Sequence, residues 1–309
     1  MGKVITVTAN PMLDKTLRLP VLQRGQTHRA LSSVPIAGGK GINVSRQIKR
    51  LGMETLATGF LGGPIGQQIA AILTQEGIPN DFVKIQSNTR EGFTLLEEDG
   101  TWTAVFEPPA PVFSKESGEL AKKISSFANA GDWLVLSGSV PYPPLDSLYS
   151  TLITYAHSQN ISTLLDTYGA ALRLGIQAKP TIIKINTREY EECFGKKILD
   201  EKDCWAALEH LGKISPIAIL TRGEGSFFFT YEGKCWRGTP PEVNEVNAVG
   251  SGDSMAAGFL ATWIKTGNIE EAMRWGGAAG AANAAKWSVA DSTEDEIRKL
   301  LPGVRLEVC

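Results

Sequence analysis

The hydrophobic period of this chain switches repeatedly along its length, and that rhythm limits the folds open to it more than any single motif does. Strand-like runs fall at 4–8, 55–60, 133–137, 161–166, 181–185 and 216–221. Helical spacing fills 41–51, 65–75, 116–129, 145–158 and 200–212, then 253–265, 270–286 and 293–301. Such alternation predicts an α/β fold, a doubly wound and mostly parallel sheet with helices on both faces. Two stretches break the rhythm, 15–36 and 87–112, and both read as extended. The second carries Asp99-Gly100 between Thr94-Leu95-Leu96 and Thr103-Ala104-Val105, a hairpin signal because Asp-Gly accepts the positive φ of a tight turn. Another hairpin is expected from Ser226 to Gly238 around Glu232-Gly233. A length of 309 residues would allow about two ordinary domains. No repeat, low-complexity tract or flexible linker divides the chain, so 1–309 is read as one domain with the extended segments inserted.

Two glycine-bearing loops lead straight into helices. Near the C-terminal end, Asn247-Ala248-Val249-Gly250-Ser251-Gly252-Asp253 is followed by one stripe of Met255, Phe259 and Trp263 and a neighbouring one of Ala256, Leu260 and Ile264. Small glycines free backbone N–H groups, and the positive end of the helix draws an anion to them. Asp253 then stands beside the anion as a carboxylate able to take a proton, which suits transfer of a phosphoryl group to a hydroxyl. Taken alone, the same residues would serve equally as a glycine turn with a capping Asp. Early in the chain, Ala37-Gly38-Gly39-Lys40-Gly41-Ile42-Asn43 precedes a helix in which Val44, Ile48 and Leu51 keep the i, i+4, i+7 spacing until Gly52 stops it. Its glycines let a polar ligand approach the backbone, Lys40 supplies a cation, and Asn43 both donates and accepts. A polyhydroxylated molecule, with or without a phosphate, fits that description. The spacing misses G-x-x-x-x-G-K-[ST], and no G-x-G-x-x-G follows a strand, so P-loop and dinucleotide sites are disfavoured.

Composition excludes other classes. The net charge is -2, the pI is near 6.0 and no dense Lys/Arg run appears, so a nucleic-acid partner is not expected. Cys193, Cys204, Cys235 and Cys309 lack C-x-x-C spacing, and three histidines make no zinc pattern; reduced cytosolic thiols are the simplest reading. Val4 to Thr8 alternates like a strand where a secretory leader would be apolar throughout, and no apolar run reaches membrane-spanning length. A soluble cytoplasmic protein is expected. Met1-Gly2-Lys3-Val4-Ile5-Thr6 fits the loose myristoylation pattern, but a lipid there would tether the first core strand. Asn43-Val44-Ser45 fits a glycosylation sequon by accident, inside the ligand loop.

The two glycine loops, in this order, resemble those of the PfkB (ribokinase-like) family of carbohydrate kinases, and the resemblance runs over essentially the whole chain. Asn10-Pro11-Met12-Leu13-Asp14-Lys15-Thr16, Thr58-Gly59-Phe60-Leu61-Gly62-Gly63, Phe82-Val83-Lys84-Ile85, Thr89-Arg90, Ser137-Gly138-Ser139-Val140-Pro141 and Leu165-Asp166-Thr167 look like blocks of its phosphofructokinase branch. Ribokinases and adenosine kinases usually begin with Gly-x-x-x-x-Asp. The Asn-Pro-x-x-Asp start therefore points to kinases of fructose 1-phosphate, tagatose 6-phosphate or fructose 6-phosphate. The resemblance implies a ribokinase-like fold in which 15–36 and 87–112 form a small β lid over the sugar, often paired with a second subunit's lid. A homodimer is expected on that ground.

The same resemblance implies ATP and Mg²⁺, and roles for particular residues. Asp253 matches the general base that takes the acceptor's proton, and Gly250, Ser251 and Gly252 supply backbone donors to the transferring group. Asn186-Thr187-Arg188-Glu189 matches an Asn-x-x-Glu element linked to magnesium and phosphate, with Glu189 addressing the metal through water. A capping Asn with a first-turn Glu would look the same. Lys184 precedes that element, Thr221 and Gly223 match a nucleotide-binding Ser/Thr-x-Gly, and Asn283 aligns with the adenine side, though its helix of small residues also suits close packing. On the sugar side Asp14 and Asn43 are expected to hold hydroxyls, Gly38 and Gly39 to permit close approach, and Ser139 to sit at the rim. Arg90, the lid cation Arg29 and Lys40 would surround a phosphate dianion, with a plain surface position as the alternative for Arg29.

Departures from the branch gather near the acceptor. Glu91 stands where Asn is usual and either repels a phosphate or points to solvent; Glu107-Pro108-Pro109-Ala110-Pro111, Tyr142-Pro143-Pro144 and Tyr168 replace other common residues. Ser251 replaces Ala, and Ile185 replaces Pro. The chemistry is thus narrower than the sugar: a 1-phosphofructokinase type of reaction first, tagatose-6-phosphate kinase or 6-phosphofructokinase next, and a non-catalytic nucleotide- or metabolite-binding regulator as a different class.

Overall fold

The computed structural model describes residues 2–141, 145–223 and 225–308. Strand β1 (Val4–Thr8) opens a main sheet; β2 (Met12–Leu19) and β3 (Ser32–Gly38) leave it, and α1 (Lys40–Arg50), β4 (Thr55–Gly62), α2 (Gly63–Gln75) and β5 (Val83–Ile85) return. A second excursion is the hairpin of β6 (Arg90–Glu97) and β7 (Trp102–Phe106). Alternation resumes with α3 (Ser114–Phe127), β8 (Trp133–Ser137), α4 (Leu148–Ser158), β9 (Ser162–Asp166), α5 (Gly169–Gln177), β10 (Ile182–Asn186), α6 (Thr187–Phe194), α7 (Glu201–Gly212) and β11 (Ile217–Arg222). The hairpin β12 (Ser226–Tyr231) and β13 (Lys234–Thr239), the helices α8 (Ser251–Thr266), α9 (Ile269–Ala284) and α10 (Glu294–Leu300), and β14 (Arg305–Val308) complete the chain.

Ten strands pair in the order β14-β13-β12-β11-β10-β9-β8-β1-β4-β5. From β11 to β5 neighbours run parallel, and the β12–β14 edge is antiparallel. Alternate side chains of each central strand enter two different cores, which explains why these runs are apolar throughout. Ile5, Val7, Leu134, Leu136, Leu165 and Ile183 pack under α3 to α7. Val4, Val135, Leu164, Ile182, Ile217 and Ile219 pack on the opposite face under α1, α8, α9 and α10. Each fully buried Leu or Ile stabilises the fold by about 1.5–3 kcal/mol, so a polar residue at Val135 or Ile183 would break the sheet's layering. From β1 the chain moves to β4 on one side and later to β8 on the other. That reversal opens a crevice at the carboxyl ends of β1 and β8, where open α/β sheets bind ligands.

The segments read as extended form a four-stranded sheet, β3-β2-β6-β7, with β2 and β6 parallel and the outer pairs antiparallel. Leu13, Ala37, Ile42, Ile69 and Leu73 make a third core that anchors its base to α1 and α2. Farther out, Val34, Trp102, Val105 and Phe106 are exposed. Asp99-Gly100 makes the expected turn, with Gly100 at φ 89°. Helix α4 starts at Leu148 rather than 145, and the Tyr142-Pro143-Pro144 departure lies outside the described residues. Strand β5, helices α5 and α6 and strand β14 go beyond the elements the pattern predicts.

Candidate active site

Parallel strands deliver their terminal residues to one level, and at the ends of β9 and β10 this brings Asp166 against Lys184. Lys184 Nζ donates to Asp166 Oδ2 at 2.7 Å, and Lys40 Nζ, from the first turn of α1, donates to Asp166 Oδ1 at 2.7 Å. Burial alone would raise the Asp166 carboxyl, but the two ammonium groups outweigh it and hold the group down to about 2. Burial likewise opposes the charge on Lys40, yet Asp166, Glu189 and Asp253 together keep it above the ordinary lysine range. The Lys40 ammonium is also 3.5 Å from Glu189 Oε1.

Asn186 and Glu189 form the cap that their motif allows, with one Glu189 oxygen left over. Asn186 Oδ1 accepts from the Glu189 amide at 2.8 Å, and Glu189 Oε2 accepts from the Asn186 amide at 2.8 Å, a reciprocal cap at the start of α6. The other carboxylate oxygen of Glu189 is the one facing Lys40. Among the described residues no group of three or more His, Cys, Asp or Glu side chains could hold a metal ion. A single carboxylate oxygen suits Mg²⁺ held through water, since that ion keeps much of its water and relies on substrate phosphates. Thr221 lies beside Asn186 in the β10–β11 register, and Gly223 follows in a left-handed turn at φ 55°.

The two glycine loops meet at Asp253, in the first turn of α8. Asn43 Nδ2 donates to Asp253 Oδ2 at 2.8 Å across 210 positions of sequence. Asp253 is pushed up to about 6, chiefly by burial and further by Asp166, against the pull of Lys40, the Asn43 bond and Lys184. Two nearby carboxyls thus occupy different states: Asp166 is locked as an anion, and Asp253 can exchange a proton near neutral pH. Gly250 caps α8 at φ 82°, and a Cβ there would come within 2.3 Å of the Val289 side chain. Of the three expected backbone donors Ser251 is already engaged, its amide donating to Ala248 O at 3.1 Å, whereas the Gly250 and Gly252 amides, and that of Asp253 beyond them, donate to no backbone carbonyl among the described residues. Gly39, at φ 129°, turns the early loop against Thr8, where a Cβ would sit 2.6 Å from Cγ2.

Asn283 is wholly buried and braces this loop. Its Nδ2 donates to Val249 O at 2.8 Å and to Ser251 Oγ at 3.1 Å, and its Oδ1 accepts from Ser254 Oγ and the Ala290 amide. The hydroxyl of Ser251, where Ala is common in the resembling family, is therefore an extra tie to α9. Close packing also holds for that helix, whose Ala278, Ala279 and Ala282 lie in the core under α8.

Toward the small sheet, Asp14 lies next to Gly38, accepts from Thr94 Oγ1 at 3.1 Å and is raised by burial. Ser139 accepts from Asn10 Nδ2 at 3.0 Å, across the crevice between β1 and β8. Arg90 donates through Nη2 to Asn10 O at 3.4 Å and through Nη1 to Glu107 O at 3.3 Å, while its Nε is buried and has no acceptor among the described residues. Glu91 neither stands free nor points to solvent: it pairs with Lys15 of the adjacent strand. Arg29 is exposed on the loop between β2 and β3. Sequence reading assigned no part to Asp166, Asn10 or Arg46. Asp166 ends a strand in an α/β sheet, and Arg46 follows Asn43 by three on a helix, so position alone offered a signal for both.

Comparison with known proteins agrees with this geometry. The profile of the pfkB family carbohydrate kinases matches residues 7–296. A 1-phosphofructokinase of Borreliella burgdorferi is 33% identical over 98% of this chain and 98% of its own length. A tagatose-6-phosphate kinase of Staphylococcus epidermidis is 30% identical over 98% of this chain and 99% of its own. The crystal structure of phosphofructokinase-2 from Escherichia coli in complex with fructose-6-phosphate superposes with a TM-score of 0.90 at 25% identity, covering 98% of this chain and 99% of that one. With its two glycine loops joined at one buried carboxylate and its sequence matched nearly end to end, the chain belongs to the pfkB family of carbohydrate kinases.

Proposed function

We propose that this kinase moves the γ-phosphoryl group of ATP to a hydroxyl of a ketohexose phosphate, with fructose 1-phosphate as acceptor and fructose 1,6-bisphosphate as product. The observation that carries the reading is the Asn43–Asp253 bond, which puts a proton acceptor where the two glycine loops meet. In the transfer, the bond from the γ-phosphorus to the β,γ-bridging oxygen breaks as a bond to the sugar oxygen forms, and the sugar proton passes to Asp253. The amides of Gly252 and Asp253 face the moving charge; Lys40 and Lys184 add positive charge held in place by Asp166. Mg²⁺, where bound, neutralises phosphate charge, and Glu189 would address it through water. Thr221 and Gly223 border the nucleotide side, with Asn283 behind the loop. On the sugar side Asp14, Asn43, Gly38 and Gly39 take hydroxyls, Ser139 bounds the rim, and Arg90 with Arg29 and Lys40 takes the acceptor's own phosphate.

The 1-phosphofructokinase relative supports fructose 1-phosphate, and the tagatose-6-phosphate kinase relative makes that sugar the runner-up. A cytoplasmic homodimer belongs to the same reading. Val34, Val105 and Phe106 are exposed on the edge strands of the small sheet, a surface that a second copy's sheet would cover. No helix among the described residues is long and apolar enough to cross a membrane. The test is ADP release at fixed ATP with fructose 1-phosphate, tagatose 6-phosphate, fructose 6-phosphate and free fructose. Highest kcat/KM on fructose 1-phosphate is expected. Absence of turnover with every phosphosugar, or preference for free fructose, would overturn the reading.

A further inference from the structure

The amide of Asn43 can face Asp253 in two nearly isosteric ways, with nitrogen or with oxygen, and the choice is made on its far side. Arg46, one turn along α1 and only 5% exposed, donates Nη1 to Asn43 Oδ1 at 3.2 Å. A guanidinium has donors alone, so the Asn43 oxygen must turn toward it. That leaves Nδ2 for Asp253 Oδ2. Arg46 is itself fixed from two more directions: Nη2 donates to Ala37 O at 2.8 Å, and Nε and Nη2 donate to the Glu76 carboxylate at 2.8 and 3.3 Å. Glu76 follows the last turn of α2 and, with Arg46, borders a surface cleft of about 380 Å³.

We propose that Arg46 is a positioning residue for phosphoryl transfer, holding the Asn43 amide so that it donates to Asp253 and keeps that carboxylate aimed and ionised. The inference rests on Asp253 being the base. Turned the other way, Asn43 would set its oxygen against a carboxylate oxygen, a repulsion relieved only when Asp253 takes a proton and ceases to be a base. The groups facing Asp253 are Lys40 and Asn43 from α1, Asp166 from the end of β9 and Lys184 from β10. Of these, only Asn43 is bonded to Arg46. A merely structural Arg46 would tie α1 to α2 and to the loop before Gly38, and its loss would weaken folding or binding without depending on Asn43.

A double-mutant cycle separates these roles. Arg46→Met, Asn43→Ala and the pair together are assayed in the full-length protein on the phosphosugar that wild type prefers. Arg46→Met should lower kcat about tenfold while the KM for ATP stays within about twofold, and should move the acidic limb of the kcat profile to higher pH. In the Asn43→Ala background the same change should alter kcat less than about twofold, because the relay is already cut. Glu76→Gln keeps the bonds from Arg46 to Asn43 and Ala37 and loosens only the outer anchor. It should lose less activity in the same direction, and it carries the test if Arg46→Met fails to fold. Independent, multiplying effects of Arg46→Met and Asn43→Ala, or an acidic limb that stays put in both Arg46→Met and Glu76→Gln, would remove the inference and leave the kinase reading standing. Wild type that releases no ADP with any phosphosugar would remove both.

Discussion

Asp166 lies between Lys184 and Lys40 with 2.7 Å to each, whereas Arg90, on the small sheet, holds weaker bonds to two carbonyls and leaves its Nε buried without an acceptor among the described residues. The contrast extends to the surroundings. Asp253, Lys184 and Asn43 are buried among helices packed on ten strands, while the small sheet exposes Val34, Val105 and Phe106 and carries Arg29 on an open loop. Groups proposed to handle the proton are held by the protein itself before any ligand arrives. Arg90, proposed for the acceptor's phosphate, has only carbonyl partners among the described residues and lacks the opposite charge that would complete it. Catalysis by alignment and charge placement favours this division, since a base that must be reorganised for each turnover would forfeit the advantage of being fixed.

The largest expected effect comes from the fixed half. Asp253→Asn should keep the fold and nucleotide binding while kcat falls about 10²-fold or more, because the proton acceptor is lost and the loop amides remain. Single-turnover rates with bound ATP measure it. A near wild-type rate would mean that the first turn of α8 does not hold the base. Arg90→Ala tests the other half and should raise the KM for a phosphosugar about ten- to hundredfold, with little change for free fructose. Equal losses on both substrates would assign Arg90 to the architecture around Asn10 rather than to phosphate.

A smaller effect should follow pH. Asp253 stands near 6 with burial as the chief cause, and the group must be ionised to accept a proton, so kcat should decline as pH falls through about 6 and lose about tenfold for each further unit. Asp166, held down to about 2, stays charged throughout that window and contributes no second limb. A kcat profile flat down to pH 5 would show that the two carboxyls are not in different states.

The sheet was legible because strands buried on both faces leave continuous apolar runs, and the helices between them carry clear stripes. Helices α5 and α6 were hidden for a local reason: they are short, and Tyr168, Asn186 and Glu189 at their starts belong to caps and the site rather than to an apolar face. Edge strand β14 is four residues long and mostly exposed, so it lacks the signature of its buried neighbours. Within the site, glycine loops announce themselves by composition, and Asp253, Asn43 and Lys40 could be named from them. The bond between Asn43 and Asp253 spans 210 positions, and no periodicity encodes such a meeting. Arg46 stayed invisible for the same reason, since its partner matters only once Asn43 is known to face a carboxylate. Asn283 differs again: the resemblance set it on the adenine side, but its full set of internal bonds, to Val249, Ser251, Ser254 and Ala290, was not readable.

Arg29 offers the finest test of the comparison and the smallest expected effect. It is exposed on the β2–β3 loop, so any attraction to the acceptor's phosphate acts through water and ions. Exposed pairs contribute about 0–1 kcal/mol, which corresponds to at most about a fivefold change in KM. Salt screens charges beyond about 10 Å at 0.1 M ionic strength, so the effect should fade as salt rises. The measurement is the KM of Arg29→Ala for fructose 1-phosphate at low and high salt, beside Arg90→Ala. A small, salt-sensitive rise for Arg29 and a large, salt-resistant one for Arg90 would distinguish a charge in solvent from one half-buried at the crevice. If Arg29→Ala instead matched Arg90→Ala in size and salt resistance, the loop must close over the acceptor during turnover, and the small sheet would be as organised as the strand ends once substrate is bound.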